Sequence, residues 1–216
     1  LQAAFLFPLL LVFFMKGKVS IRYLLAGLAA FVLMQAAFLM DGQGLAAIFG
    51  RYAQQINEMA YEGAGLADHA AGVYSLMTVA SVREFSGMGM YLGFACALLV
   101  AFALIHAHAD VDADTLLLAG LLLAAGLPLI LPQMNARSLY LAGMLAFACA
   151  GSARRLAIAG VLELISLCSY MEAIFNCTII PMNVLSLMAI ACATVILLEL
   201  LDKLGIKGAL SRESNA

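Results

Sequence analysis

Tryptophan is absent from the 216 residues, and Asp, Glu, Lys and Arg together make up only 11% of them. A soluble domain of this length carries charge on roughly a quarter of its residues, because a surface facing water requires it. The shortage of charge therefore excludes water as the main solvent. In its place stand 65% hydrophobic residues and a mean hydropathy of +1.05, the composition of an integral membrane protein. A formal net charge of −2 and a pI near 5.9 leave no polybasic footprint, which excludes nucleic acid as a partner.

Other absences narrow the chemistry. Cys96, Cys149, Cys168, Cys177 and Cys192 stand singly, mostly within apolar runs, and no CxxC pair occurs. Such thiols read as small buried hydrophobes. Neither GxSxG, HExxH, a P-loop nor a dinucleotide-binding fingerprint is present, so no local motif encodes soluble-enzyme chemistry. The chain starts Leu1-Gln2 with no basic n-region before its first apolar run. A signal peptide is not expected, and a fragment with an upstream part missing is the economical expectation.

Apolar runs dominate what remains. Seven candidate spans fall near residues 3–15, 21–40, 88–105, 115–131, 138–151, 156–170 and 178–201. Several are shorter than the ~20 residues that cross a bilayer. The alanine- and leucine-rich runs lack the period-two alternation of a barrel strand, and a lipid-facing segment must satisfy its own backbone hydrogen bonds. These features predict an all-α, polytopic transmembrane helix bundle, one membrane domain over residues 1–216, with no internal repeat. Lys16, Lys18, Arg22, Arg154, Arg155, Lys203, Lys207 and Arg212 fall on one side of that topology; only Arg51, Arg83 and Arg137 fall on the other. The positive-inside tendency makes the first side cytoplasmic, with the C-terminus there.

One connection, residues 41–87 on the outer face, is too long to be a turn. Within it Leu45, Ile48, Phe49, Tyr52, Ile56 and Met59 recur at helical spacing, with Arg51, Gln54, Gln55, Asn57 and Glu58 on other faces. That spacing predicts an amphipathic helix in the outer interface. A second helix is expected over residues 70–82, after the break at the glycines of "EGAG".

Polar side chains collect on the same outer face. The long connection contributes Arg51, Gln54, Gln55, Glu58, Glu62, Asp68 and His69. Gln133, Asn135 and Arg137 come from the fourth-to-fifth connection, and Glu172, Asn176 and Asn183 from the last. Most read as solvated loop residues. Arg137 differs, because only "LPQMNA" separates it from one apolar span and "SLYLAGMLAFACA" follows at once. An arginine at that depth is either a snorkelling anchor or a fork of donors for a phosphate. His106, His108, Asp110, Asp112 and Asp114 suggest a metal, but spacing of two needs an extended segment to share a face and no second cluster stands on that side. A polar turn is the simpler reading. Glu163 lies inside a span, where a charge is costly unless paired or hydrated, and a structural hydrogen bond to a neighbouring helix is its expected role.

Three stretches resemble one family in the same order. "LPQMNARSLYLAGMLA" is similar to a segment reading L-P-x-M-H-E-R-Y-x-Y-x-A in bacterial polytopic glycosyltransferases of the GT-C superfamily, which take sugar from a polyprenyl-phosphate carrier. Leu131, Pro132, Met134, Arg137, Tyr140 and Ala142 match, while Asn135, Ala136 and Ser138 replace His, Glu and Tyr. "LQAAFLFPLLLVFFMKGK" resembles the family's K-x-Q-A-x-x-x-x-P span through Gln2, Ala3 and Pro8. "YAQQINEMAYEGAGLADHAAGVYSL" resembles its outer Y-x-x-Q segment and N-A-P-N-I-Y-x-L stretch through Tyr52, Gln55, Ala70, Tyr74 and Leu76, with His69, Ala71 and Gly72 departing from it.

The resemblance, which covers residues 1–145, implies a multi-pass enzyme of the bacterial inner membrane. It moves hexose, mannose in the nearest pattern, from a polyprenyl-phosphate sugar to a glycan, lipid or protein acceptor outside the cytoplasm. This chain would be its C-terminal, carrier-binding half. The implied carrier-binding residues are Arg137, Asn135, Tyr140, Gln55, His69 and Tyr74. The catalytic base, and the main ligands of any divalent cation, are expected in the missing N-terminal half, which would be a partner unless another membrane subunit completes the fold. A transporter or flippase-like subunit, and a relative that has lost the chemistry, are the competing expectations.

Overall fold

A computed structural model describes residues 5–17, 19–34, 67–68, 70–77, 82–107 and 111–205, with the single positions 44, 46, 47 and 50. Among the described residues the seven apolar runs each hold an α-helix: α1 (Phe7–Met15), α2 (Ile21–Met34), α3 (Val82–His106), α4 (Ala113–Ile130), α5 (Tyr140–Ala148), α6 (Ala153–Phe175) and α7 (Met182–Lys203). The protein is all-α, and α3 from Gly87 onward, α4, α6 and α7 are each long and apolar enough to cross a membrane. The nine residues each of α1 and α5 rise only about 13 Å, less than half the hydrocarbon core. The chain groups into two compact units, residues 1–12 with 65–216, and residues 13–64. The amphipathic helix expected from Leu45 to Met59 lies outside the described residues except at positions 46, 47 and 50, which are helical.

Local chemistry sets the helix ends. Asp112 caps α4 by accepting from the Thr115 backbone N–H at 2.8 Å, and Ser152 caps α6 by accepting from Arg155 N at 3.3 Å. Each cap satisfies an amide that the first turn leaves without a partner. α6 stops at Asn176, which adopts the left-handed region at φ 50°. The Cys177 N–H then reaches back to the Met171 carbonyl at 3.3 Å, closing the helix in the manner of a Schellman turn.

In the larger unit α4 is the centre. Two thirds of its spanning window is buried, against 28–39% for α3, α6 and α7, and Leu118 through Ala125 is buried without interruption. A helix that is apolar all round belongs in that position. Helices α3, α5 and α7 pack against α4, while α6 packs along α5 and α7.

Small residues decide how closely they approach. On α3, Gly89, Gly93, Ala97 and Ala101 recur every fourth position and are all buried. A side chain at Gly93 would sit 2.6 Å from Leu131 Cδ2, and one at Gly89 would collide with the Tyr74 hydroxyl. Gly120 of α4 likewise takes Leu9 of α1, 3.2 Å from where a Cβ would lie. Lipid tails are as apolar as leucine, so close backbone approach, rather than expulsion of water, holds such helices together. For the same reason Phe94, Phe102 and Leu167 stay exposed on the outer faces of the bundle at no cost in lipid.

The second helix expected at residues 70–82 does not form over its described part. Residues 70–72 lie outside any helix or strand and a single 3-10 turn covers Val73–Leu76. Tertiary contacts override local preference there, because Ala70, Ala71 and Tyr74 are buried in the bundle. The only strand pairing among the described residues is a two-residue parallel bridge, β1 (Ala67–Asp68) with β2 (Met134–Asn135).

Candidate functional site

The polar turn after α4 is built by its own side chains. Leu131 closes α4 through its N–H to the Leu127 carbonyl at 2.8 Å, and Gln133 then turns the chain at φ 57°, a left-handed value uncommon outside glycine. The Asn135 carboxamide oxygen accepts from Arg137 N at 3.2 Å, and its carbonyl accepts from Ser138 N at 2.9 Å. This is the asparagine-seeded turn that a short amide side chain favours. Asn135 therefore shapes the loop that carries Arg137. Arg137 is exposed at its apex, and Tyr140, 51% exposed, opens α5.

Pairing of Ala67 with Met134 and of Asp68 with Asn135 brings the end of the long connection onto that turn. The chain then enters the bundle. The Gly72 N–H donates to Ser186 Oγ of α7 at 2.9 Å, and Ser186 donates to the Met182 carbonyl at 2.9 Å. The Ser75 hydroxyl lies in hydrogen-bond contact with both the Ser186 hydroxyl and the Gly72 carbonyl. Gly72 is extended at φ −164°, so glycine is needed there for space: a Cβ would lie 3.3 Å from the Leu129 carbonyl oxygen.

Tyr74 follows, buried, with its hydroxyl against Gly89; the Pro132 ring meets the same glycine. Burial raises the Tyr74 hydroxyl above its ordinary value of 10.0, which keeps it a neutral donor. Beneath this turn an apolar groove of about 330 Å³ runs between α3, α4 and α7, bounded by Val73, Cys96, Leu99, Leu123, Ile190 and Leu197 among others. The Thr194 hydroxyl on its wall is already committed to the Ile190 carbonyl at 2.8 Å. Nothing in such a groove rewards a polar occupant.

Four of the six residues singled out in the sequence, Asn135, Arg137, Tyr140 and Tyr74, thus belong to one end of the bundle. Gln55 and His69 lie outside the described residues. Ser75, Ser186 and Gly72 were missed, because a hydroxyl inside an apolar helix gives no signal of its partner until the fold is known. Ser138 and Ser169 are also buried, and their hydroxyls find no hydrogen-bond partner among the described residues.

The opposite end of the same helices is charged. Arg155 of α6 grips Asp114 of α4 with both terminal nitrogens, at 2.6 and 2.9 Å, and its Nε donates to Glu199 of α7 at 2.7 Å. Lys203 completes the cluster on Asp114 at 2.5 Å. Asp112, 4.0 Å from Lys203, is held below its ordinary carboxyl range first by the Thr115 hydroxyl and then by the Thr115 backbone N–H. His106 stacks on Phe102 with ring centroids 4.0 Å apart, its Nδ1 3.1 Å from the Phe102 carbonyl. The residues that suggested a metal are thus spent on a cap, an ion pair and a stack; His108 and Asp110 lie outside the described residues. No group of three His, Cys, Asp or Glu among the described residues is placed to hold a metal ion.

The first end offers an exposed guanidinium over a fixed turn, two tyrosines and an apolar groove, a set suited to an anion carried on a hydrocarbon chain. Comparison of the chain with protein-family models, with characterised proteins and with solved structures returns no match.

Proposed function

We propose that this chain is the carrier-binding part of a membrane glycosyltransferase of the GT-C kind, one that takes sugar from a polyprenyl-phosphate carrier. The observation that carries the reading is the β1–β2 bridge. It joins two stretches, far apart in sequence, that separately resemble successive motifs of that family. A chance likeness in either stretch gives no reason for them to meet.

In this reading Arg137 meets the carrier phosphate by charge-assisted hydrogen bonds, held in place by the turn that Asn135 builds. Tyr140 and the neutral Tyr74 flank the sugar side, and Gln55 and His69 join them from the long connection. The groove below Val73 receives the isoprenoid chain. The bridged end faces away from the cytoplasm, as the distribution of Lys and Arg favours, so the C-terminus is cytoplasmic and the membrane is a bacterial inner membrane. The acceptor, a glycan, lipid or protein, arrives from the outer side. The catalytic base and the main ligands of any divalent cation come, in this reading, from the N-terminal half.

The test is transfer from radiolabelled polyprenyl-phosphate sugars in membranes carrying the full-length protein and its Arg137→Ala variant at matched expression. Loss of one charge-assisted contact lowers transfer about ten- to a hundred-fold. Equal transfer by both removes Arg137 from the mechanism. Transfer from no donor turns the reading to a transporter subunit, which the mid-span Glu163 favours.

A further inference from the structure

Glu163 stands near the middle of the 23-residue α6. Its carboxyl occupies the space that a side chain at Gly143 of α5 would fill. One turn earlier Gly160 is exposed, with nothing within 4 Å of where its Cβ would sit. Exposed Leu156, Leu164 and Leu167 continue the same face. Among the described residues Glu163 takes part in no hydrogen bond and no ion pair. The contrast is with Glu199, a carboxylate of α7, which Arg155 engages directly.

A carboxylate at lipid depth calls for a partner. Residues 1–216 hold none to give: their lysines and arginines lie at the ends of spans or between them, and none falls mid-helix in α3 through α7. A second copy would therefore bring another acid to the same depth. We propose that the Glu163 face of α6 docks a transmembrane helix of a different polypeptide that bears a lysine or arginine near the middle of its span. Gly160 leaves a notch in which that helix approaches closely, and Gly143 leaves the carboxylate room to lean toward either helix. The inference stands apart from sugar transfer and holds whichever reaction the complete protein performs.

The experiment uses the full-length protein in phosphatidylcholine nanodiscs with three fluorescent peptides, each a leucine-alanine transmembrane helix, whose central residue is lysine, leucine or glutamine. Energy transfer reports association. The lysine peptide is expected to bind the native protein about ten-fold more tightly than the leucine peptide, the size of one interhelical polar contact in lipid. Glu163→Gln, which keeps the shape, should abolish that preference while far-ultraviolet circular dichroism shows the helices intact. Glu163→Asp, which keeps the charge, should retain part of it. Equal binding of lysine and leucine peptides by the native protein overturns the proposal. So does a lysine preference that survives Glu163→Gln, or a glutamine peptide that binds as tightly as lysine.

Discussion

The two ends of the same helices are fastened by different chemistry. At one end Arg155 binds α4, α6 and α7 together through Asp114 and Glu199, with Lys203 adding a second cation. At the other, α7 is joined to the entering chain by the Ser186 hydroxyl and a backbone amide, and two loops are joined by a two-residue bridge. Charge spent on charge leaves the first end electrically satisfied. The second end uses hydroxyls and backbone for its joints and keeps its arginine exposed at the surface of the turn. One end is thus fastened by charge and the other by neutral groups.

The sharpest way to break this comparison is to remove the cation at its centre. Arg155→Met leaves Glu199 without its counter-ion and Asp114 with Lys203 alone. The cost is expected near 3 kcal/mol, the lower part of the range for breaking a buried ion pair, because Asp114 keeps 40% of its side chain exposed. Reversible unfolding in mixed micelles measures it. Adding Asp114→Asn and Glu199→Gln to the same protein should recover most of the loss, since the penalty comes from charges left without a partner. A single variant that unfolds as the native protein does would mean the cluster is no lock.

Removing the joint at the other end should cost less. Ser186→Ala leaves the Gly72 N–H without its acceptor in a buried position, an expected loss of about 2 kcal/mol. The same variant should make residues 67–77 more open to protease, a change that Arg155→Met does not share. If Ser186→Ala proves as costly as Arg155→Met, the two ends are not fastened differently in kind.

This division was only partly legible in the sequence. Helix positions were, since the apolar runs of residues 21–40 and 178–201 can only be helices in lipid, and each holds one. In the sequence Arg155 reads as a topogenic charge, and nothing marks Glu199 as its partner. Their pairing depends on α4, α6 and α7 sharing an end, which no window of sequence contains, although the rarity of unpaired buried charge pointed to some partner. The turn at Asn135 followed a local rule and was singled out for a different role, ligand contact. The long connection failed the other way: glycine and alanine at residues 70–72 were counted toward a helix, whereas Gly72 is there because the Leu129 carbonyl lies too close for a side chain. Close approach is a tertiary fact, and only its consequence, a small residue, is written in the chain.

The smallest expected effect concerns pH at the charged end. Asp112 accepts from the Thr115 hydroxyl and backbone N–H in the folded protein, which lowers its pKa below the ordinary 3.8. A carboxyl whose folded value is depressed binds its proton more weakly folded than unfolded, so its contribution is complete above the ordinary value. That contribution disappears as pH falls through the lower, folded value. Asp112→Asn still caps α4 but carries no titrating charge. Unfolding midpoints of the two proteins, measured from about pH 6 to about pH 2, should differ by a constant amount down to the ordinary carboxyl range and then converge in acid as the native advantage fades. The shift will be modest, because the group is exposed and water screens it. A difference that instead widens in acid would mean that Thr115 holds the protonated form, and that the first turn of α4 is fastened by a neutral hydrogen bond like those at the opposite end.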